Sequence, residues 1–501
     1  MQNIPSVTLD ITLADLYRND NESGSTDRIA PVLAAANSEI DLSVHIPRNR
    51  KYLYQDSTFS TTPKKLSSRD YEELQRHAAV KYLSLVPQHD AFASGKMPVI
   101  LFKLDNLEAE ENLSLKEATE TVSVLSPAQR PRLLFFDGPA QISLKENGID
   151  ILAVKMELDD LERFPVTLNL ETHYFLNSKA ALWTSGLPTP KCDLIKLEGV
   201  SPDARSCCSA CSANTNSLSI PEDCSGHRRT WLLSQISKMI SQISDRSLPF
   251  VFKSQQTFGG GGTFVVSRED DRKKLIHDLS TRLLPKLVSQ VTALNAHLEP
   301  ATLLLSEQVI DPVGDYGLTF FVTKPGECIF LAVTEQTVDS SKAWIGSKIS
   351  YSKQDTLRHK FNIIMHAIGA WLHHHGYYGP IGADILETTS QSNQEPGELL
   401  ITDLNVRTSG SLSLALLKGH FSERRNLHEA SSFSVNVKMS REDFITKLSK
   451  QFKEGRVIIV SWYADTISKF SFANVIMGAE DRAGLEKDMK YVKQFATEIH
   501  F

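Results

Sequence analysis

The sequence predicts a multi-lobed α/β protein, and three observations carry that expectation. Its 501 residues correspond, at roughly 100–200 residues per domain, to about three domains or one large multi-lobed enzyme. Short apolar runs of strand length alternate with helical stretches. A glycine-rich turn between two further apolar runs reads as a hairpin with a flexible tip. Composition agrees: 41% hydrophobic and 23% charged residues describe an ordinary globular protein. The 54 Lys and Arg fall short of the 60 Asp and Glu, a net charge of −6 with no clustered basic surplus, which argues against a nucleic-acid binder. No run of about 18 apolar residues offers a membrane span. The first twenty residues, MQNIPSVTLDITLADLYRND, lack a basic stretch followed by an apolar run, so no signal peptide is expected and the expected location is cytoplasmic.

The elements follow in order. The first ~60 residues are polar and irregular, and only strands and loops are expected there. YEELQRHAAVKYLSLV, from Tyr71, places Leu74, Ala78, Tyr82 and Leu85 on one helical stripe. Pro98–Leu104, Arg132–Phe136 and Ile149–Val154 read as strands of a small α/β layer. Asn177 and Ser178 can cap a short helix over Lys179–Ser185, which Gly186 stops and Pro188 and Pro190 forbid to continue. Lys179 in its first turn opposes the helix dipole, a poor choice for stability alone. After a Ser- and Cys-rich insert at 201–228, Trp231–Ile243 is helical. Leu248–Lys253, Gly259–Gly262 and Thr263–Val266 then make strand, turn and strand. Asp270–Leu294 is amphipathic with a break at Pro285. Strands follow at Ala301–Ile310 and Gly317–Val322, and a strong helix at Leu357–His375. IGADILE and ELLITDLNVR form an antiparallel hairpin, SLSLALLKG one more helix, and RVIIVSWY with Arg482–Phe495 a closing α/β segment.

The most informative residues are Asp403, Asn405 and Arg407 in LLITDLNVRTSG. On a strand they project to one side, while Leu404 and Val406 point into a core. Covered by a second lobe, such a polar row is costly unless it meets ligands. Carboxylate and amide oxygens suit Mg²⁺, and the planar fork of Arg407 suits a phosphate or a developing acyl intermediate. Asp384, on the partner strand, can approach Asp403, and two close carboxylates repel unless a cation lies between them. Lys253 leads into Gly259, Gly260, Gly261 and Gly262, whose backbone N–H groups can approach phosphate oxygens without Cβ obstruction. Glu307, closing ATLLLSEQVI with Val309 after it, fits a hinge that reads an adenine or ribose.

In this order the motifs resemble the ATP-grasp superfamily. Lys179 precedes Gly186-Leu187-Pro188, Lys253 precedes a glycine lid, and Glu307, Asp384 and Asp403-x-Asn405-x-Arg407 follow. The resemblance spans residues 175–420. TEQTVDSSKAWIGSKIS and DLNVRTSGSLSLALLKG are similar to pheganomycin-type peptide ligases and related amino-acid ligases. The chain also resembles fungal ATP-grasp proteins named for expression in solid-state culture. Asp403 departs from the Glu that many relatives carry, and the 201–228 insert is a second departure. What the resemblance implies is an ATP-grasp fold, two α+β lobes gripping ATP. It implies a Rossmann-like domain at 1–175, a lid lobe at 176–310, a large lobe at 311–435 and an α/β segment at 436–501. It further implies an ATP-dependent carboxylate–amine ligase of small-molecule, secondary metabolism, working through an acyl phosphate. Lys179 and Lys253 would hold phosphates, Asp384, Asp403 and Asn405 Mg²⁺ (or Mn²⁺), and Arg407 the acyl phosphate or oxyanion. Its partners would be a carboxylate and an amine, with a homodimer compatible. The other classes weighed are a decayed, nucleotide-binding regulator and a biotin-type carboxylase, for which no carrier module is visible. Retention of both lysines, the three metal ligands and Arg407 argues against decay.

Six cysteines are too few for a secreted framework in a chain this long. Cys208-x₂-Cys211-x₁₂-Cys224-x₂-His227, with Cys207 spare, has zinc spacing, and a loop that merely carries thiols reads equally from the Ser-rich context.

Overall fold

A computed structural model describes residues 4–19, 28–34, 41–54, 68–103, 108–213, 219–257, 262–338, 344–389, 397–465 and 469–496. Its first layer is a parallel sheet of Ile29–Val32 (β1), Pro98–Phe102 (β2), Arg132–Phe136 (β3) and Ile151–Val154 (β4), in the order β3-β2-β1-β4. A parallel sheet is covered on both faces, so its strands read as continuous apolar runs. On β2, Val99 and Leu101 enter one core cluster while Ile100 and Phe102 enter another on the opposite face. The central strand β1 falls in the first ~60 residues, where strands and loops are expected but none is assigned a position. IAPV is four residues long and carries a proline, too little pattern to read in isolation. A helix at Leu13–Asn19 was not expected.

The helix read from Tyr71 runs Ser68–Ser94 and passes through Pro87. Proline there removes one backbone hydrogen bond. Burial of the next turns offsets it: Gln88, Asp90, Ala91, Phe92 and Ser94 are all buried. Among the stripe residues, Leu74, Ala78 and Tyr82 lie outside the described side chains.

The second layer is antiparallel. Cys192–Ile195 (β5), Phe250–Ser254 (β6), Thr263–Val266 (β7) and Leu303–Glu307 (β8) lie in the order β5-β8-β6-β7. Behind it pack the helices His227–Asp245, Glu269–Asp278 and Leu284–Ser289; the last two are separated by a π-turn at Leu279–Leu283. The break expected at Pro285 lies just before it, and Pro285 itself stands in the first turn of Leu284–Ser289.

The third layer has eight antiparallel strands. Gly314–Val322 (β9), Cys328–Val338 (β10), Trp344–Ser350 (β11), Gly379–Glu387 (β12), Leu399–Asn405 (β13), Glu429–Val437 (β14), Val457–Ala464 (β15) and Ser471–Ala479 (β16) lie in the order β13-β12-β9-β10-β11-β14-β16-β15. Helix Gln354–His374 covers one end through Phe361, Ile364, Ile368 and Leu372. A division at 435/436 would cut β14, which joins β16 along its whole length. The closing segment therefore shares the sheet of the large lobe. The helix expected in SLSLALLKG shortens to Leu412–Ala415.

The arrangement is a parallel α/β domain followed by two α+β lobes, as the ATP-grasp resemblance implies. Among the described residues no helix is long and apolar enough to cross a membrane.

Candidate functional site

Helix Lys179–Thr184 begins at Ser178, whose side chain accepts from the Ala181 N–H. Gly186 follows at φ +79, the left-handed region that stops a helix. The turn it opens pins a distant strand, because the Ile401 N–H on β13 donates to Pro188 O at 2.8 Å. Lys179 itself is buried. Its Nζ donates to Thr257 Oγ1 at 3.0 Å and lies 3.6 Å from Asp403 Oδ1. A cation at a helix start is unfavourable for the dipole, and a carboxylate from the other lobe offsets it here.

Lys253 reaches across in the same way. It stands on β6, opposite Thr263 of β7 and Leu304 of β8, and its Nζ donates to Thr402 O of β13 at 2.6 Å. Burial lowers its pKa; Asp403 opposes that shift and Lys179 adds to it. Gly262 closes the hairpin at φ +71, where a Cβ would meet Thr257 Cγ2 at 2.6 Å. Gly259, Gly260 and Gly261 lie outside the described residues.

Asp384 on β12 is paired directly with Asp403 on β13. Burial first, then the charges of Asp403 and Asp315, push the Asp384 carboxyl up to about 7, against Lys253 and the hydrogen bond from Gln336. The Gln336 amide donates to Asp384 Oδ1 at 2.9 Å. Opposed carboxylates cost energy, and the arrangement is the one a hard cation with oxygen ligands relieves. Leu404 and Val406 are buried in the apolar core beneath.

Arg407 lies just past the end of β13. Its Nη2 donates to Asn405 Oδ1 at 3.0 Å and its Nη1 to Asn177 Oδ1 at 2.6 Å. Asn177 Oδ1 also accepts from the Val406 N–H at 3.0 Å, and His173 Nε2 meets Val406 O at 2.7 Å. Glu157 lies against Nδ1 of His173, and the Tyr54 hydroxyl donates to Glu157. Asn177 is legible in the sequence only as a helix cap. His173, Glu157 and Tyr54 gave no signal there, since a lone buried His or Glu has no pattern. Asn177→Ala should misdirect the guanidinium and cut turnover by up to about 10²-fold, with the KM for ATP little changed. Steady-state kinetics check this, and a KM effect without a kcat effect would contradict the positioning role.

Asp384, Asp403, Asn405 and Arg407 share the wall of one cavity of about 380 Å³, a size that holds a small molecule. Its other walls come from the N-terminal domain, through Lys81, His89 and Lys155, and from β14 and β16, through Ser434, Asn436 and Asn474. Lys155 forms a buried ion pair with Asp90. Glu307 is exposed at the end of β8, opposite Phe250, and Val309 is half-buried. Neither lines the cavity. Glu307 stands three residues beyond Leu304, the partner of Lys253, about 10 Å along the sheet.

The cysteine pattern needs one correction. The sulfurs of Cys207, Cys208, Cys211 and Cys224 lie within 4.8 Å of one another. His227, offered by the spacing as fourth ligand, is outside that group and exposed at the start of helix His227–Asp245. The chain turns at Gly226, so that the Arg228 N–H rather than the His227 ring meets Cys207.

No protein-family model and no curated protein matches the sequence. Solved structures share its arrangement distantly. N5-carboxyaminoimidazole synthetase from Staphylococcus aureus, complexed with ADP, is 9% identical with a TM-score of 0.47 over 93% of this chain and 97% of that one. L-amino acid ligase from Bacillus licheniformis is 9% identical with a TM-score of 0.45 over 95% and 99%. The biotin carboxylase domain of the Hydrogenobacter thermophilus 2-oxoglutarate carboxylase is 10% identical with a TM-score of 0.42 over 80% and 85%.

Proposed function

We propose that this chain is an ATP-grasp ligase that activates a small carboxylate with ATP and joins it to an amine. The observation that carries the reading is the meeting of two lobes at β13. There the lid cation Lys253 contacts Thr402, Lys179 faces Asp403, and Asp384 opposes Asp403. The adenosine end of ATP would lie toward Glu307 and Val309, with its phosphates at Lys253 and Lys179. Asp384, Asp403 and Asn405 offer the oxygen donors that Mg²⁺ takes, and the ion would supply charge neutralisation at the phosphates.

The chain's own residues then do the positioning. A substrate carboxylate in the cavity faces Arg407, whose fork is held by Asn177 and Asn405. Its oxygen attacks the γ-phosphoryl group, the bond to the β-phosphate breaks, and ADP leaves behind an acyl phosphate. An amine attacks the acyl carbon, phosphate departs, and the amine's proton is released. Arg407 stabilises the oxyanion of the tetrahedral intermediate, and Lys253 the transferring phosphoryl group. Lys81 brings a cation to the far wall, where Lys155 is already paired with Asp90, and the Ser and Asn side chains of β14 and β16 offer hydrogen bonds to a substrate's polar groups.

ADP release measured over a panel of small carboxylates, each with and without amines, tests the reading. At least one carboxylate should support ATP-dependent trapping of a hydroxamate by hydroxylamine in the absence of amine. Tight ATP binding with neither ADP release nor hydroxamate for any carboxylate would favour a regulatory, nucleotide-binding protein instead.

A further inference from the structure

No described residue of the 201–228 insert lines the cavity, yet the insert brings four thiols together. Around a tetrahedral zinc with Zn–S bonds of about 2.3 Å, the sulfurs stand roughly 3.8 Å apart. Cys224 Sγ lies 3.7 Å from Cys207 Sγ, 3.8 Å from Cys208 Sγ and 3.5 Å from Cys211 Sγ. A disulfide would hold one pair at about 2.05 Å and leave the others apart. The observed spacing is that of four sulfurs sharing one centre.

The cluster has polar surroundings. The Arg228 backbone N–H donates to Cys207 Sγ at 3.4 Å. The buried Arg228 guanidinium donates to Ser201 Oγ at 3.0 Å and stands near Cys211, placing a fixed positive charge beside a centre that would carry a net negative charge with four thiolates. Gly226 lets the chain pass the cluster, since a Cβ there would stand 2.5 Å from Cys207 Sγ.

We propose that Cys207, Cys208, Cys211 and Cys224 bind one structural Zn²⁺ that fastens the 201–228 insert to the lid lobe. Four thiols and one Zn²⁺ give a tetrathiolate centre and release up to four protons, so no oxidant or reductant is needed. The need for such a fastening is physical. The insert has little apolar chain of its own, and its described side chains in the lid core are Cys211, Cys224 and Ile220, with Ala204, Cys207 and Cys208 partly buried against it. A metal closing the loop between residues 207 and 224 supplies the order that burial there does not. The inference stands apart from the ligase reading, because none of the four sulfurs lines the cavity.

Elemental analysis of the full-length protein should give about one zinc per chain. Titrating the unmodified protein with a mercurial thiol reagent should release that zinc in step with the modification of four thiols, a readout that needs no variant to fold. Replacing zinc with Co²⁺ should produce thiolate-to-cobalt charge-transfer bands of a tetrahedral site. His227→Ala should keep the full zinc content and Cys207→Ser should lose most of it. Purified protein without zinc, a cluster isolated as disulfides, iron in place of zinc, or retention of zinc by Cys207→Ser with loss by His227→Ala would each overturn the assignment.

Discussion

Replacing Asp403 with alanine should lower Mg²⁺-dependent ADP formation by about 10²–10³-fold or more, with the fold intact. The expected size is that of removing one fixed electrostatic partner of a reacting centre. The substitution leaves Asp384 opposite an apolar side chain and takes from Lys179 its carboxylate at 3.6 Å. The first change removes one proposed ligand of the cation, and the second takes its anchor from a lysine proposed to bind phosphate. The melting temperature should shift little, because relief of the repulsion with Asp384 is opposed by loss of the carboxylate beside the buried Lys179, and Asp403 faces the cavity rather than the core. Steady-state ADP release and a thermal melt measured together check both halves. Unchanged turnover would remove Asp403 from the site, and loss of the folded state would make its role structural.

Lys253→Ala should abolish hydroxamate trapping, and Arg407→Ala should suppress it while weakening ATP binding less. The distinction follows from placement. Lys253 enters from the lid sheet, beside the glycine turn, and is buried against β13. Its charge is available to a phosphoryl group in both ground and transition states. Arg407 lies past the end of β13, gripped by Asn177 and Asn405, so its charge is aimed into the cavity that would hold the carboxylate. Losses of about 10²–10³-fold are expected for each in single-turnover trapping. Nucleotide affinity, measured by calorimetry with ADP and Mg²⁺, should fall clearly for Lys253→Ala. An Arg407→Ala variant that binds nucleotide poorly but traps hydroxamate at the normal rate would reverse the two roles.

The sequence by itself determined the local grammar of this protein. Alternation along LLITDLN set Leu404 and Val406 against Asp403 and Asn405, because strand side chains alternate faces whatever surrounds them. Cap, glycine stop and prolines fixed the short helix that carries Lys179, and paired apolar runs fixed the β6–β7 hairpin. Short-range rules did not reach β1, whose four residues acquire strand character only from β2 and β4 on either side. Nor did they find β14, where EASSFSVNV mixes core positions such as Phe433 and Val435 with the Ser and Asn that face the cavity.

Tertiary structure alone decided what the polar residues meet. Asn177 and Arg407 are separated by 230 residues, and no spacing rule links a helix cap to a guanidinium at that distance. The buried relay from Tyr54 through Glu157 and His173 likewise joins three chain segments. The cysteine cluster makes the same point at short range. Spacing favoured His227, but the turn at Gly226 sends that ring outward and brings the spare Cys207 to the other three sulfurs. Patterning in sequence fixes which face a side chain takes within its own element. Its partner is set by how elements pack, and that is a balance of burial and charge across the whole chain.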